Sequence, residues 1–169
     1  MTTALRGLVV AALIIFTVTL QVSVFNHFAF DGVAPDVALL LLIGAALVRG
    51  PTYAALVGFG AGLVLDLAPP ADHVVGRWAL ALVVVGYVAG RMRQDIRPTA
   101  PMVVATVAAS SFVGTSVYAL SGRLLRDPVV AVPDLLSVIL VAIVWDVLLT
   151  PFVLPPVMKL FRRLEPQSV

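Results

Sequence analysis

The sequence predicts an all-α polytopic membrane protein with six transmembrane helices, the central ones short. Three observations carry that reading. The 169 residues are 61% hydrophobic and 12% charged, with a mean hydropathy of +1.09, whereas an ordinary soluble domain is about 25% charged. The apolar residues gather into six runs separated by short segments rich in charge, Pro or Gly. Lys and Arg are distributed unequally between alternate connections. A soluble domain of this size could not hide so much apolar surface from water, and the same composition excludes a disordered chain. The chain is read as one integral membrane domain over residues 1–169, with helices near 7–28, 36–48, 51–66, 77–90, 98–122 and 135–158.

A helix needs about 20 apolar residues to cross a hydrocarbon core of about 30 Å. The first run meets this, because no charge falls between Arg6 and Asp31 and the stretch from Gly7 to Phe25 is almost wholly apolar. A cleaved signal peptide shares the positive start and apolar core. The length of the run, the lack of a small-x-small cleavage site and the lack of soluble sequence downstream favour a retained helix. The next three runs are Val37 to Val48, Thr52 to Leu65 and Trp78 to Gly90. Runs of this length rise only about 18–21 Å as helix. They span if their end residues snorkel or the bilayer thins; otherwise some are re-entrant or interfacial. The last two runs are long. Pro98 to Gly122 carries no charge, and Leu135 to Met158 carries only Asp146.

Orientation follows from the basic residues of the short connections. With the N-terminus cytoplasmic, the inner set is Arg6, Arg49, Arg91, Arg93, Arg97, Lys159, Arg162 and Arg163, eight of the eleven. Arg77, Arg123 and Arg126 fall outside. Both termini are expected inside.

Composition also excludes several chemistries. With no cysteine there are no disulfides, thiolate metal sites or cysteine nucleophiles. The pI near 9.5 reflects a net charge of only +2, and the basic residues sit at segment ends and form no nucleic-acid-binding face. The two histidines, His27 and His73, have no zinc-site spacing. No P-loop or G-x-S-x-G elbow occurs, and no nucleophile–base pair can be assembled. The expectation is a protein that is no enzyme and has no cofactor or metal.

The sharpest pattern is small residues four apart. Ala54, Gly58, Gly62 and Asp66 form one stripe on the third helix, and Gly86 and Gly90 begin another on the fourth. Such stripes let lipid-embedded backbones approach closely. Either the two helices pack on each other, or one stripe docks a partner helix. Asp36 and Asp66 are boundary carboxylates. Asp66 is either simply solvated or paired across the following loop with Arg77. Asp146 lies near the middle of the last apolar run, beside Trp145. A charge there costs at least ~2.5–3.5 kcal/mol on insertion scales, so it must face protein, be neutral, or both. Ser110, Ser111, Thr115 and Ser116 are its candidate partners. A proton or cation site and a plain interhelical hydrogen bond are both open readings, as is a helix end that leaves Asp146 nearer the surface. Gln21, Ser23, Asn26 and His27 read as interfacial. Val129 to Val132, in the last outer loop, read as membrane-hugging or as a docking patch. Lys159, Arg162 and Arg163 read as an anchor to anionic lipid.

The order Pro35–Asp36–Val37–Ala38–Leu39–Leu40, Arg49–Gly50–Pro51, Gly58–Phe59, Gly62–Leu63 and Asp66 is followed by Gly76 to Ala79, Gly86–Tyr87 and Gly90–Arg91. It resembles the rod shape-determining protein MreD family over roughly residues 15 to 95. The last two helices match that family only in length and hydrophobicity, and Asp146 matches no motif of it. The resemblance implies a non-enzymatic scaffold of the cell-wall elongation complex. Its implied partners are an MreC-like single-span coiled-coil protein and, indirectly, MreB and the synthase of RodA with a class B penicillin-binding protein. It also implies a fold similar to the substrate-binding subunits of energy-coupling-factor transporters, which makes a solute-binding transport subunit the alternative function.

Overall fold

The computed structural model describes residues 2–30, 32–69, 73–92, 99–126 and 135–165. Among them every regular element is helical: α1 (Thr3–Ser23), a 3₁₀ turn (Phe25–Phe28), α2 (Val37–Arg49), α3 (Pro51–Leu67), α4 (Arg77–Arg91), α5 (Ala100–Leu124) and α6 (Leu135–Arg163). α1 with its 3₁₀ turn, α5 and α6 are long and apolar enough to cross a membrane, and α2 to α4 are shorter.

Local chemistry explains the boundaries. Thr2 caps α1, its Oγ1 accepting from Leu5 N at 3.3 Å, so the helix starts earlier than the apolar run. Asp36 caps α2 by accepting from Leu39 N at 2.9 Å. Gly50 ends α2 at φ +84 and leads directly into Pro51 at the start of α3. Glycine takes that backbone angle without strain and proline suits a first helical turn, so one residue reverses the chain. α6 continues through Pro151, Pro155 and Pro156 to Arg163, beyond the expected end at Met158. The Thr150 hydroxyl donates back to Asp146 O at 2.7 Å just before the first proline, a device that bends a helix where proline removes backbone donors.

α2 is the hub. Eleven of its thirteen residues are buried, and it packs against all five other helices. A helix apolar all round belongs in the middle of a bundle, and the run from Leu39 to Ile43 is that kind of surface. α1, α5 and α6 bury only one stripe each. On α6 the stripe runs through Asp146, Thr150 and Leu154, while Leu140, Val144, Leu148 and Phe152 are exposed on other faces. Such apolar exposure suits hydrocarbon surroundings.

α3 and α4 form the tightest seam. A Cβ on Gly58 would strike the Leu82 carbonyl, and one on Gly62 would strike the Ala79 backbone. A Cβ on Gly86 would lie 2.7 Å from Ala54 O, and one on Gly90 would strike Pro51. As the α3 position rises by four, its α4 counterpart falls by about four, so the helices run antiparallel with backbones in contact. Ala54, Gly58, Gly62, Gly86 and Gly90 thus line one internal seam. This corrects the reading in which one of these stripes offers a free docking face: each is filled by the other.

One end of the bundle is basic. There Arg49 Nη1 donates to Leu164 O at 3.4 Å and its Cζ stands 4.2 Å over the Tyr53 ring. This ties the α2–α3 turn to the last carbonyls of α6, where a cation suits the helix dipole. The other end carries Asp36, Asp66 and, one third of the way along α6, Asp146. The expected docking patch Val129 to Val132 lies outside the described residues.

Candidate functional site

The acidic end is built from two carboxylate centres. The first is Asp66, fully buried on the last turn of α3. Its Oδ2 accepts from Gly76 N at 2.9 Å and Ala79 N at 3.1 Å. Its Oδ1 accepts from Trp78 N at 3.1 Å and lies 3.1 Å from His73 Nε2. The first turn of a helix leaves its backbone N–H groups without intrahelical partners. The residue preceding α4 is Gly76, at φ +100, which has no side chain to cap them. Asp66 caps α4 from the neighbouring helix. The reach across the loop expected of Asp66 goes to His73 and the α4 backbone. Arg77, 2% exposed, turns to Tyr118, donating from Nη2 to its carbonyl at 2.8 Å with Cζ 3.9 Å over its ring.

The second centre joins α1, α2, α5 and α6. Asp146 is 1% exposed, and its Oδ1 accepts from Asp36 N at 3.0 Å. Gln21 Oε1 accepts from Ala38 N at 2.8 Å. Three side chains from three helices thereby serve the first turn of α2: Asp36 itself, Gln21 and Asp146. Asp146 therefore sits level with the start of α2, away from the bundle's middle, because α2 is short and α6 overruns it. Of the four expected partners on α5, Ser111 lies beside the carboxyl, yet neither the Ser111 hydroxyl nor Asp146 Oδ2 has a hydrogen bond of standard geometry. The decisive donor is the Asp36 backbone.

Between these centres lies a cavity of about 350 Å³ that opens at the acidic end. Asp36, Asp146, Gln21, Asn26, Thr115 and His73 reach it, together with the Trp78 and Tyr118 rings, whose centroids are 4.4 Å apart. Leu39, Leu65, Leu82 and Val138 supply apolar wall. Gln21 and Asn26, expected to be interfacial, are lining residues. A glutamine inside a long apolar run was the available signal for Gln21. Among the described residues no group of three or more His, Asp or Glu could hold a metal ion.

The family model for the rod shape-determining protein MreD matches residues 1–164. The chain belongs to the MreD family. It is therefore a membrane protein with a role in rod shape determination, in a family of structural membrane proteins and not of known enzymes. The match covers the last two helices as well as the first four, so Asp146 and the acidic-end cavity lie within it. No curated protein and no solved structure matches the chain.

Proposed function

We propose that this protein is a non-enzymatic scaffold of the cell-wall elongation complex in the bacterial cytoplasmic membrane. In this reading both termini are cytoplasmic. The protein holds an MreC-like single-span partner within the bilayer, and through it organises the RodA–class B penicillin-binding protein synthase along the wall that MreB marks out. Family membership over residues 1–164 is the observation that carries the proposal. The charge distribution supports the orientation: Arg6, Arg49, Arg91, Lys159, Arg162 and Arg163 belong to one end of the bundle, and Arg77, Arg123 and Arg126 to the other. The α3–α4 glycines are engaged internally, so a partner helix is proposed to use lipid-facing surface such as the exposed Leu140, Val144 and Leu148 of α6. A helical bundle like that of energy-coupling-factor substrate-binding subunits stays part of this reading. The transport function that such a likeness suggested finds no support in the family match.

Depletion from a rod-shaped host should give rounded cells, and tagged full-length protein should retain an MreC-like protein through detergent purification. Rods persisting through depletion would overturn the proposal. Retention of the partner should fall at least several-fold when Val144 and Leu148 are both replaced by tryptophan; unchanged retention would move the contact to another face.

A further inference from the structure

We propose that the groove between the first turns of α5 and the last turns of α6 is a binding site for one anionic phospholipid, in the leaflet at the basic end of the bundle. The groove has a volume of about 990 Å³, at the upper end of the range for small-ligand pockets, roughly 300–1,000 Å³. Its α6 wall is a stripe of residues four apart, Val147, Pro151, Pro155 and Lys159, with Leu154, Met158 and Arg162 beside it. Its α5 wall is Ala100, Val103 and Val104. The lining is apolar along most of its length and cationic at one end, where Lys159, Arg162 and Arg163 gather. From Val147 to Met158 the helix rises about 16 Å, close to half of a hydrocarbon core of about 30 Å. An acyl chain running through a single leaflet has that reach, and its phosphate then stands level with the cations.

Charge decides the occupant. No Asp or Glu lines the groove among the described residues. Lys159, Arg162 and Arg163 are exposed, and their side chains have no ion-pair or hydrogen-bond partner among those residues. The start of α5 adds to the same end. Thr99 makes no side-chain cap to the first turn, and Ala100 of that turn lines the groove. Uncapped first-turn N–H groups carry partial positive charge and favour an anion. By contrast Arg49, at the same end of the bundle, is already engaged by Leu164 O and the Tyr53 ring. A phosphate can accept from Arg and Lys together, whereas a zwitterionic headgroup brings an ammonium against the same cations. A partner's spanning helix tends to carry its own Lys or Arg on the basic side of a membrane, and a second copy of this chain would bring the same cations; both would meet like charge. A basic tail by itself attracts anionic lipid without fixing its place. The groove fixes the chain as well as the headgroup. Leu140, Val144 and Leu148, proposed above for the partner, lie outside it.

Full-length protein in a neutral detergent is titrated with dioleoylphosphatidylglycerol and, separately, with dioleoylphosphatidylethanolamine, which has the same chains. Native mass spectrometry counts the adducts. One phosphatidylglycerol should bind saturably and about tenfold more tightly than its zwitterionic counterpart. Lys159→Gln together with Arg162→Gln should erase that preference. Val104→Trp, which fills the groove and keeps every cation, should weaken the phosphatidylglycerol adduct several-fold. Arg91→Gln removes a charge at the same end but outside the groove, and should leave binding unchanged. All of these positions are exposed, so the variants leave the buried core as it is. Equal affinity for the two lipids would overturn the proposal, as would an Arg91→Gln loss equal to that of the Lys159 and Arg162 pair. Unchanged binding by Val104→Trp would overturn it by reducing the cations to a diffuse anchor. Competition by glycerol phosphate at the lipid's own concentration would overturn it in favour of a free phosphate. Loss of the adduct from protein that carries a single-span partner, or from a dimer of this chain, would overturn it in favour of a docked helix. The titration needs neither the partner nor the proposed orientation, so its failure leaves the scaffold reading standing.

Discussion

Asp66 and Asp146 stand at the same end of the bundle, equally hidden from solvent, and their surroundings differ in kind. Asp66 accepts from the backbone of Gly76, Trp78 and Ala79 and meets His73, so both its oxygens are engaged. Asp146 accepts from one backbone N–H on Oδ1, and it has only the Ser111 hydroxyl beside it, outside standard hydrogen-bond geometry, for Oδ2. A buried carboxylate saturated by backbone donors is part of the scaffold, because removing it strands several donors at once. A half-satisfied one leaves chemistry available, because removing it strands little. Burial alone does not separate structure from site; the state of each oxygen does.

That contrast is tested most sharply at Asp66. Asp66→Ala should cost about 3–5 kcal/mol, the range for removing one partner of a buried charged network, since the N–H groups of Gly76, Trp78 and Ala79 would lose their acceptor inside the bundle. Unfolding in detergent, followed by the loss of helical circular dichroism, measures it. A loss below 1 kcal/mol would place Asp66 with Asp146 and erase the distinction. The next largest effect belongs to the seam that Asp66 closes. Gly62→Ala should destabilise by at least about 1–3 kcal/mol, as expected of overpacking, because the added methyl meets the Ala79 backbone, which has no rotamer to change. Gly60→Ala is the control. A Cβ there would make only a 3.4 Å contact with the end of the Ile14 side chain, and the change should be neutral or slightly stabilising in a helix. Equal effects at positions 60 and 62 would mean that the seam is looser than its geometry.

How far these centres could be read beforehand follows from the range of their contacts. The glycine stripes were visible because helical spacing is local, and the pairing of α3 with α4 needed only a short connection. The buried hub was visible in principle, since the segment from Asp36 to Arg49 is apolar around its whole circumference. Asp66 was legible as a boundary group, but its role as a cap for α4 depended on Gly76 leaving that helix uncapped. The Asp146–Asp36 contact spans 110 positions, and no periodicity encodes such a distance. Asp146 read as a mid-membrane charge because its depth was counted along α6, whereas the length of α2 sets the level at which it meets a partner. Gln21 read as interfacial for the same reason: its acceptor serves Ala38 on another helix.

The smallest expected effect is the most informative about Asp146. Asp146→Asn keeps an amide oxygen in the place of Oδ1, so the hydrogen bond from Asp36 N survives. The amide nitrogen that replaces Oδ2 is a donor, and the neighbouring Ser111 hydroxyl can accept from it. The substitution also removes one of two neighbouring acidic groups and with it their mutual repulsion. Stability should therefore change by no more than about 1 kcal/mol, within the net worth of one hydrogen bond, and an increase is the expected direction. Asp146→Ala should be worse than Asp146→Asn by about 1–3 kcal/mol, because it strands the Asp36 N–H and opens a void beside Ser111. If Asn and Ala were equally damaging, the carboxylate itself would be holding the helices together, and Asp146 would belong to the scaffold as fully as Asp66.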